Sequence, residues 1–433
     1  MRFYLISIFL LVSCGEKPMK SVSESWFNDQ TIYEVNIRQY TEEGTIRAFR
    51  SHLPRLKSMG VGILWMMPIH PIGEINRKGT LGSYYSVKNY YEINPEFGTL
   101  NEFKNLVDEI HEHGMYVIID WVANHTSWDN SIVSSNPEWY TKDINGNFMP
   151  PKDTDWSDVV DLDFSKNPLR RYMIDAMKYW IKEIDIDGFR CDVAGMVPND
   201  FWKKSIKELN QIKPIFMLAE WEDPQLLEAG FNADYNWTLY HTLKDIASGT
   251  KSILSLQNYL KKNPKSYPKM AIRMNFLDNH DENSWGRVMI HHFGSLVYPM
   301  MTLNFTLPGI PMIYSGQEAK LAKKLEFFEK DTIDWNDFKD QEFYTKLINL
   351  KKSHSVFWTN NKNIKFLDGL EEDIIGFKRW NDENSYIIII NFSSKTYELN
   401  DSLKSRTLIM KDVNSSNSSI LPYGYKIFRN ENR

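Results

Sequence analysis

Short apolar runs alternate along this chain with longer stretches in which apolar residues recur every three or four positions. The runs fall at 31–37, 61–69, 116–124, 188–194, 215–221, 271–279 and 311–315, with a weaker one at 231–237. Several are almost continuously apolar, as strands covered on both faces are. Helical patterns lie between them at 46–59, 100–113, 168–184, 199–212, 252–262 and 343–352, and Gly60 and Gly114 follow two of these where a left-handed cap belongs. Strand and helix repeated about eight times predict parallel βα units of the α/β class. Eight units suit a (β/α)8 TIM barrel over 26–353, with a doubly wound open sheet as the alternative. The stretch 126–163 is rich in Pro, Asn, Asp and Trp. It reads as a short subdomain inserted after the third strand and overhanging the barrel mouth. Beyond 354 the helical period gives way to short strands at 364–367, 374–380, 386–392, 396–399, 407–410 and 425–428, predicting a C-terminal antiparallel β-sandwich domain over 354–433.

Composition narrows the classes of function. A net charge of -5 with scattered Lys and Arg excludes the clustered cations that a nucleic-acid partner requires. The 14 Trp, 22 Tyr and 24 Phe exceed what a core of this size needs, which leaves flat rings free to stack on a ligand. At the start, Arg2 precedes a largely apolar run over 3–12. The run is too short for a bilayer, which takes about 20 residues, but fits a signal-peptide core. Leu11-Val12-Ser13-Cys14 resembles the bacterial lipoprotein cleavage box, which would make Cys14 an acylated first residue and 15–25 a tether. An ordinary signal peptide is the alternative. The expectation is an exported lipoprotein held at a membrane by its anchor, with the outer membrane favoured because Gly15 supplies no retention signal. Besides Cys14 only Cys191 exists, so the mature chain can form no internal disulfide.

The candidate chemistry lies at strand ends. Asp120 closes Val117-Ile118-Ile119-Asp120, Asp192 follows Gly188-Phe189-Arg190-Cys191, Glu220 closes Phe216-Met217-Leu218-Ala219, and Asp281 follows Asp278-Asn279-His280. In a barrel these C-terminal ends meet at one mouth, where catalytic groups belong. Turns favour Asp anyway, so any one of these acids alone means little. Four in one register, beside Arg190 and two His, point to a site. Converging carboxylates without a Cys/His cluster suit glycosidic cleavage, in which one acid protonates the leaving oxygen and another attacks the sugar carbon. Arg190 shares a strand face with Asp192 and could hold it ionised. Glu220, between Ala219 and Trp221, reads as desolvated enough to keep a proton.

These segments resemble the α-amylase family of glycoside hydrolases. Asp120-Trp121-Val122-Ala123-Asn124-His125 is similar to its first conserved region, 188–194 to the second, Glu220 with its apolar lead-in to the third, and Asn279-His280-Asp281 to the fourth. Trp65, Pro68, Asp161-Leu162-Asp163 and 309–318 are supporting matches. The resemblance implies a retaining hydrolase of α-1,4-glucans or maltooligosaccharides, with Asp192 as nucleophile, Glu220 as acid/base and Asp281 as transition-state stabiliser. It also implies that Arg190 orients Asp192, that His125 and His280 hydrogen-bond the sugar, that Tyr85 stacks beneath it and that Asp120 organises the site. Tyr84, Tyr90 and Tyr91 compete for the role of Tyr85. The two working carboxyls of a retaining enzyme lie about 5–5.5 Å apart.

The pattern departs from the family at one place. Many members carry Lys-His shortly after the nucleophile motif, where this chain has Gly195-Met196. The Lys contacts leaving-side sugars and the His supplies a carbonyl to a structural calcium, so both roles are in doubt. The chemistry needs no cofactor. Asn124, Asp161 and Asp163 could offer oxygens to a structural calcium, which wants six to eight. Cys191 should point away from the site as a packed thiol. Two rival readings stand: a transglycosylase or isomerase using the same covalent intermediate, and a non-catalytic glucan-binding lipoprotein. Oligomeric state is not legible.

Overall fold

In the computed structural model, residues 25–262, 267–268, 271–335, 337–412 and 414–430 are described. Cys14 and the segment around it lie outside them. Eight parallel strands close into a barrel: β1 (Ile32–Val35), β2 (Ile63–Met66), β3 (Tyr116–Trp121), β4 (Gly188–Cys191), β5 (Phe216–Ala219), β6 (Ala233–Tyr235), β7 (Ile272–Asn275) and β8 (Ile310–Tyr314). Each pairs with its neighbours in sequence, and β8 returns to β1 with Met312 opposite Ile32. Apart from Tyr116, every residue of these strands is buried, which is why several of them read as nearly continuous apolar runs. The open-sheet alternative is thereby set aside.

The helical pattern at 46–59 is two helices, Ile46–Arg50 and Leu53–Met59. Pro54 stands in the first turn of the second, where its missing N–H costs nothing. Two further helices escape periodicity. Val297–Thr306 is buried almost all round, so no wet face marks its period. Trp237–Ala247 buries Thr242 among its apolar residues, which interrupts the stripe.

The insertion starts as an antiparallel ribbon, His125–Ser127 against Val159–Asp161, with His125 opposite Asp161. The C-terminal domain is a five-stranded antiparallel sheet in the order Ile364–Phe366, Ile374–Trp380, Ser385–Asn391, Tyr425–Asn430, Thr407–Lys411. A two-stranded ribbon, Tyr397–Glu398 with Ser419–Ile420, packs on one face through Tyr397, Leu399 and Ile420. The other face joins the barrel core through Phe377, Ile388 and Ile390. Buried Arg379 ties the two bodies together, donating to the carbonyls of Thr306, Val356, Asn361 and Asn363. Among the described residues no helix is long and apolar enough to cross a membrane.

Candidate active site

Strand register assembles the charged centre. Asp120 on β3 lies directly opposite Arg190 on β4, and both side chains are fully buried inside the barrel. A bare guanidinium there would carry a large desolvation cost, which three carboxyls offset. Nη1 reaches Asp120 Oδ1 at 2.9 Å and Asp192 Oδ1 at 3.1 Å, while Nη2 reaches Glu220 Oε1 at 2.5 Å. Nε donates to the Tyr235 hydroxyl at 3.2 Å. Asp192 and Glu220 therefore share one cation from two of its nitrogens. Burial first, then the negative charge of Glu220, raise Asp192 well above the usual carboxylate range, and Arg190 opposes the rise. Asp120 is pushed up to about 6 by burial against the pull of Arg190 and His280.

The turn after β4 is strained. Val193 adopts φ 35° and ψ 48°, a left-handed conformation that a β-branched residue rarely holds. That conformation aims its N–H at Glu220 Oε2, 2.8 Å away. The Glu220 backbone is pinned as well, its N–H bonding the Cys191 carbonyl at 3.0 Å and its carbonyl accepting from Ala194 at 3.2 Å. Glu220 is therefore held at both carboxyl oxygens, Oε1 by the charge of Arg190 and Oε2 by the Val193 N–H.

On the opposite flank stands His280. One ring nitrogen meets Glu34 Oε1 at 2.5 Å; the other meets the Tyr85 hydroxyl at 2.8 Å and Asp281 Oδ2 at 3.4 Å. Burial works to lower its pKa, but Asp281 and Glu34 outweigh burial and hold the ring up at about 9. His125 has no such partner, and burial takes it down to about 3, so it is neutral. Tyr85 donates to Asp120 Oδ2 at 3.2 Å, as does Trp65 Nε1. The competition among tyrosines is decided. Tyr84 is buried under the Arg38 guanidinium, Tyr90 bonds the carbonyls of Val122 and His125, and Tyr91 packs on Tyr179, so only Tyr85 reaches the cavity.

That cavity, about 490 Å³, opens at the C-terminal ends of the strands. Asp192, Glu220, Asp281, Tyr85, His125 and His280 line it, and Asp120 and Arg190 lie beneath. Sequence reading missed Glu34, Tyr235, Trp156, Trp285, Phe327 and Lys78. Glu34 was the findable one, a lone acid inside an otherwise apolar strand. Trp285 ends the short helix that begins at His280, Tyr235 lies on the short β6, and Trp156, Phe327 and Lys78 come from loops, so none has a signal of its own. Cys191 is buried and faces away, as expected. Gly195 lies against Trp221: an added Cβ would sit 2.3 Å from its indole, so the ring fills the space a longer side chain would take.

Of the candidate calcium oxygens, those of Asp163 are engaged within the protein. Asp163 accepts the Ser165 N–H at 2.9 Å and pairs with Lys166 at 3.3 Å, and the Asn124 amide faces His125 Nδ1 at 3.3 Å. Among the described residues no three His, Cys, Asp or Glu side chains converge as ligands would.

An acid pair sharing one guanidinium in a pocket at the mouth of a parallel barrel defines a barrel glycosidase. The α-amylase catalytic-domain model matches residues 24–371, and the chain belongs to the α-amylase family of glycoside hydrolases. It is 24% identical over 391 residues to an α-amylase, MalA, of Haloarcula japonica; the match covers 86% of this chain and 56% of that protein's length. A solved α-amylase of Lactobacillus plantarum superposes with TM-score 0.82 at 30% identity, covering 94% of this chain and 99% of the other. A noncanonic maltogenic α-amylase, AmyB, of Thermotoga neapolitana gives 0.80 at 30% identity, covering 93% and 96%.

Proposed function

We propose that the protein hydrolyses α-1,4-glucosidic bonds in starch, maltodextrins or related α-glucans with retention of configuration. The observation that carries this reading is the sharing of Arg190 by Asp192 and Glu220 at the wall of one cavity. Retaining cleavage needs Asp192 ionised and a proton on Glu220, and the Arg190 guanidinium opposes the rise that burial gives Asp192. In the first step that proton leaves Glu220 for the glycosidic oxygen as Asp192 attacks the anomeric carbon and the carbon–oxygen bond breaks. In the second, Glu220 takes a proton from water, whose oxygen attacks the same carbon and releases Asp192. Asp281 stabilises the oxocarbenium-like centre, cationic His280 and neutral His125 donate to sugar hydroxyls, and the Tyr85 ring supports the sugar. Asp120 and Arg190 hold the acids in place.

The same intermediate would serve a transglycosylase or isomerase if a sugar replaced water. Incubation with maltooligosaccharides, the released anomer being followed by NMR, tests the reading. Initial α-product that falls about 10³-fold or more in Asp192→Asn is expected. Initial β-product, or glucan binding with no turnover by the native protein, overturns it. We also propose that Cys14 carries a lipid anchoring the protein in the cell envelope, at the outer membrane. Metabolic lipid labelling tests this, and a mature chain beginning elsewhere than Cys14 overturns it.

A further inference from the structure

The cavity is flanked by two different kinds of surface. Glu220 must reach the oxygen of the leaving group, so the leaving chain lies on the Glu220 side. There a second groove of about 410 Å³ continues outward from Val193 and Glu220 past Trp221, Glu222 and Trp237. The opposite flank, beyond His280 and Asp281, is an aromatic wall. Phe327 lies parallel to Tyr85, with centroids 6.3 Å apart and planes 13° from parallel, and Trp285 packs on Phe327 at 5.2 Å and on Phe328 at 5.6 Å.

The backbone that carries this wall is fastened by hydrogen bonds, while the Trp285 ring itself stands 58% exposed at its rim. Asn283, within the helix His280–Trp285, accepts the Leu325 N–H at 2.9 Å and donates to the Lys323 carbonyl at 3.3 Å, and Ser284 donates to the Leu325 carbonyl at 3.0 Å. Across the mouth, Leu81 N–H donates to the Phe328 carbonyl at 3.1 Å, and Thr80 N–H donates to Glu329 at 2.9 Å. The approach is so close that a Cβ on Gly79, at φ +64°, would lie 2.4 Å from that of Phe328. Lys78 closes the remaining side by pairing with Asp158 of the inserted subdomain at 3.4 Å and donating to the Asp155 carbonyl at 3.1 Å. The loop after β2 is thus bonded to those after β3 and β8, and the helix after β7 to the loop after β8.

We infer that the site takes glucans by their non-reducing end: the wall of Trp285, Phe327 and Phe328, latched to 78–82, admits a short glycone and refuses a chain that continues past it. This deepens the hydrolase reading above and rests on it. Cleavage then releases short units from chain ends, and the open Trp221–Trp237 groove accepts leaving chains of any length. A backbone fastened by this many hydrogen bonds is preformed, so refusal is steric and does not await closure.

The test uses the full chain with two nitrophenyl maltoheptaosides, one free and one blocked at the terminal 4,6-hydroxyls by an ethylidene group. The blocked substrate should be cleaved at least about 100-fold more slowly than the free one. Trp285→Ala/Phe328→Ala should raise the blocked-to-free ratio about tenfold or more. Should that variant not fold, the native protein still decides: with maltoheptaose labelled at its reducing end, early products must be one short unlabelled sugar and one long labelled one. Comparable cleavage of both heptaosides, or early scission at internal bonds, overturns the inference while leaving the hydrolase reading intact. Cleavage of neither substrate at any chain length overturns both.

Discussion

His280 and Glu34 form a buried pair whose removal can be weighed. The ring nitrogen and Glu34 Oε1 are 2.5 Å apart, neither residue has appreciable exposed surface, and the ring is held at about 9 although burial alone would lower it. Against an unfolded value near 6.5, that rise corresponds to about 3 kcal/mol for the ring alone, and burial, which raises Glu34 above the usual carboxylate range, offsets part of it. The folded value lies above the unfolded one, so the contribution is complete below about pH 6.5 and is lost as pH rises through about 9. His280→Gln leaves Glu34 buried without its cation and should cost about 3–5 kcal/mol at pH 6. Glu34→Gln/His280→Gln places neutral amides at both positions and should cost less, because no charge is stranded. Urea unfolding of the native protein and the double variant from pH 6 to 9.5 reads the pair directly. The native protein should lose about 3 kcal/mol over this range relative to the double variant. Parallel pH profiles would refute the reasoning, as would a single variant no less stable than the double.

Arg190→Leu strands buried Asp120 and should destabilise the fold by about 3–5 kcal/mol in denaturant titration, while Arg190→Lys, keeping the charge without the fork, should cost less. Gly188→Ala places a Cβ 1.9 Å from the Phe216 carbonyl oxygen at φ +152°, a backbone contact no rotamer relieves; a loss above about 4 kcal/mol is expected from equilibrium unfolding. Gly195→Lys must displace the Trp221 indole and should lower stability by about 1–3 kcal/mol, with Trp fluorescence reporting the moved ring. Chelation by EDTA should leave the unfolding midpoint in place, and a fall beyond about 4 °C would return calcium to the account.

Much of this molecule was legible because its strands are buried on both faces. Apolar runs marked all eight, the short β6 only weakly, and the acids at or just beyond the ends of β3, β4, β5 and β7 stood out against them. Asp120, Arg190, Asp192 and Glu220 gather through strand register, which periodicity carries. What periodicity does not carry is the direction in which a loop folds back. Phe327, Trp285 and Lys78 reach the cavity through turns whose courses depend on contacts with loops distant in sequence. Val193, likewise, is an ordinary apolar residue on paper, and only its backbone angles show how the turn after β4 aims a donor at Glu220. Helix Val297–Thr306 was invisible for the opposite reason, having no solvent face to give it a period.

The proposed reaction requires Asp192 to form a bond to the sugar. Reaction with a 5-fluoro-α-glucosyl fluoride, whose slow second step accumulates the covalent species, followed by peptide mass spectrometry, locates that bond. One glycosyl group is expected on the peptide containing Asp192. A label on Asp120, Glu220 or Asp281, or steady turnover of the reagent with an unlabelled protein and inverted product, would contradict it.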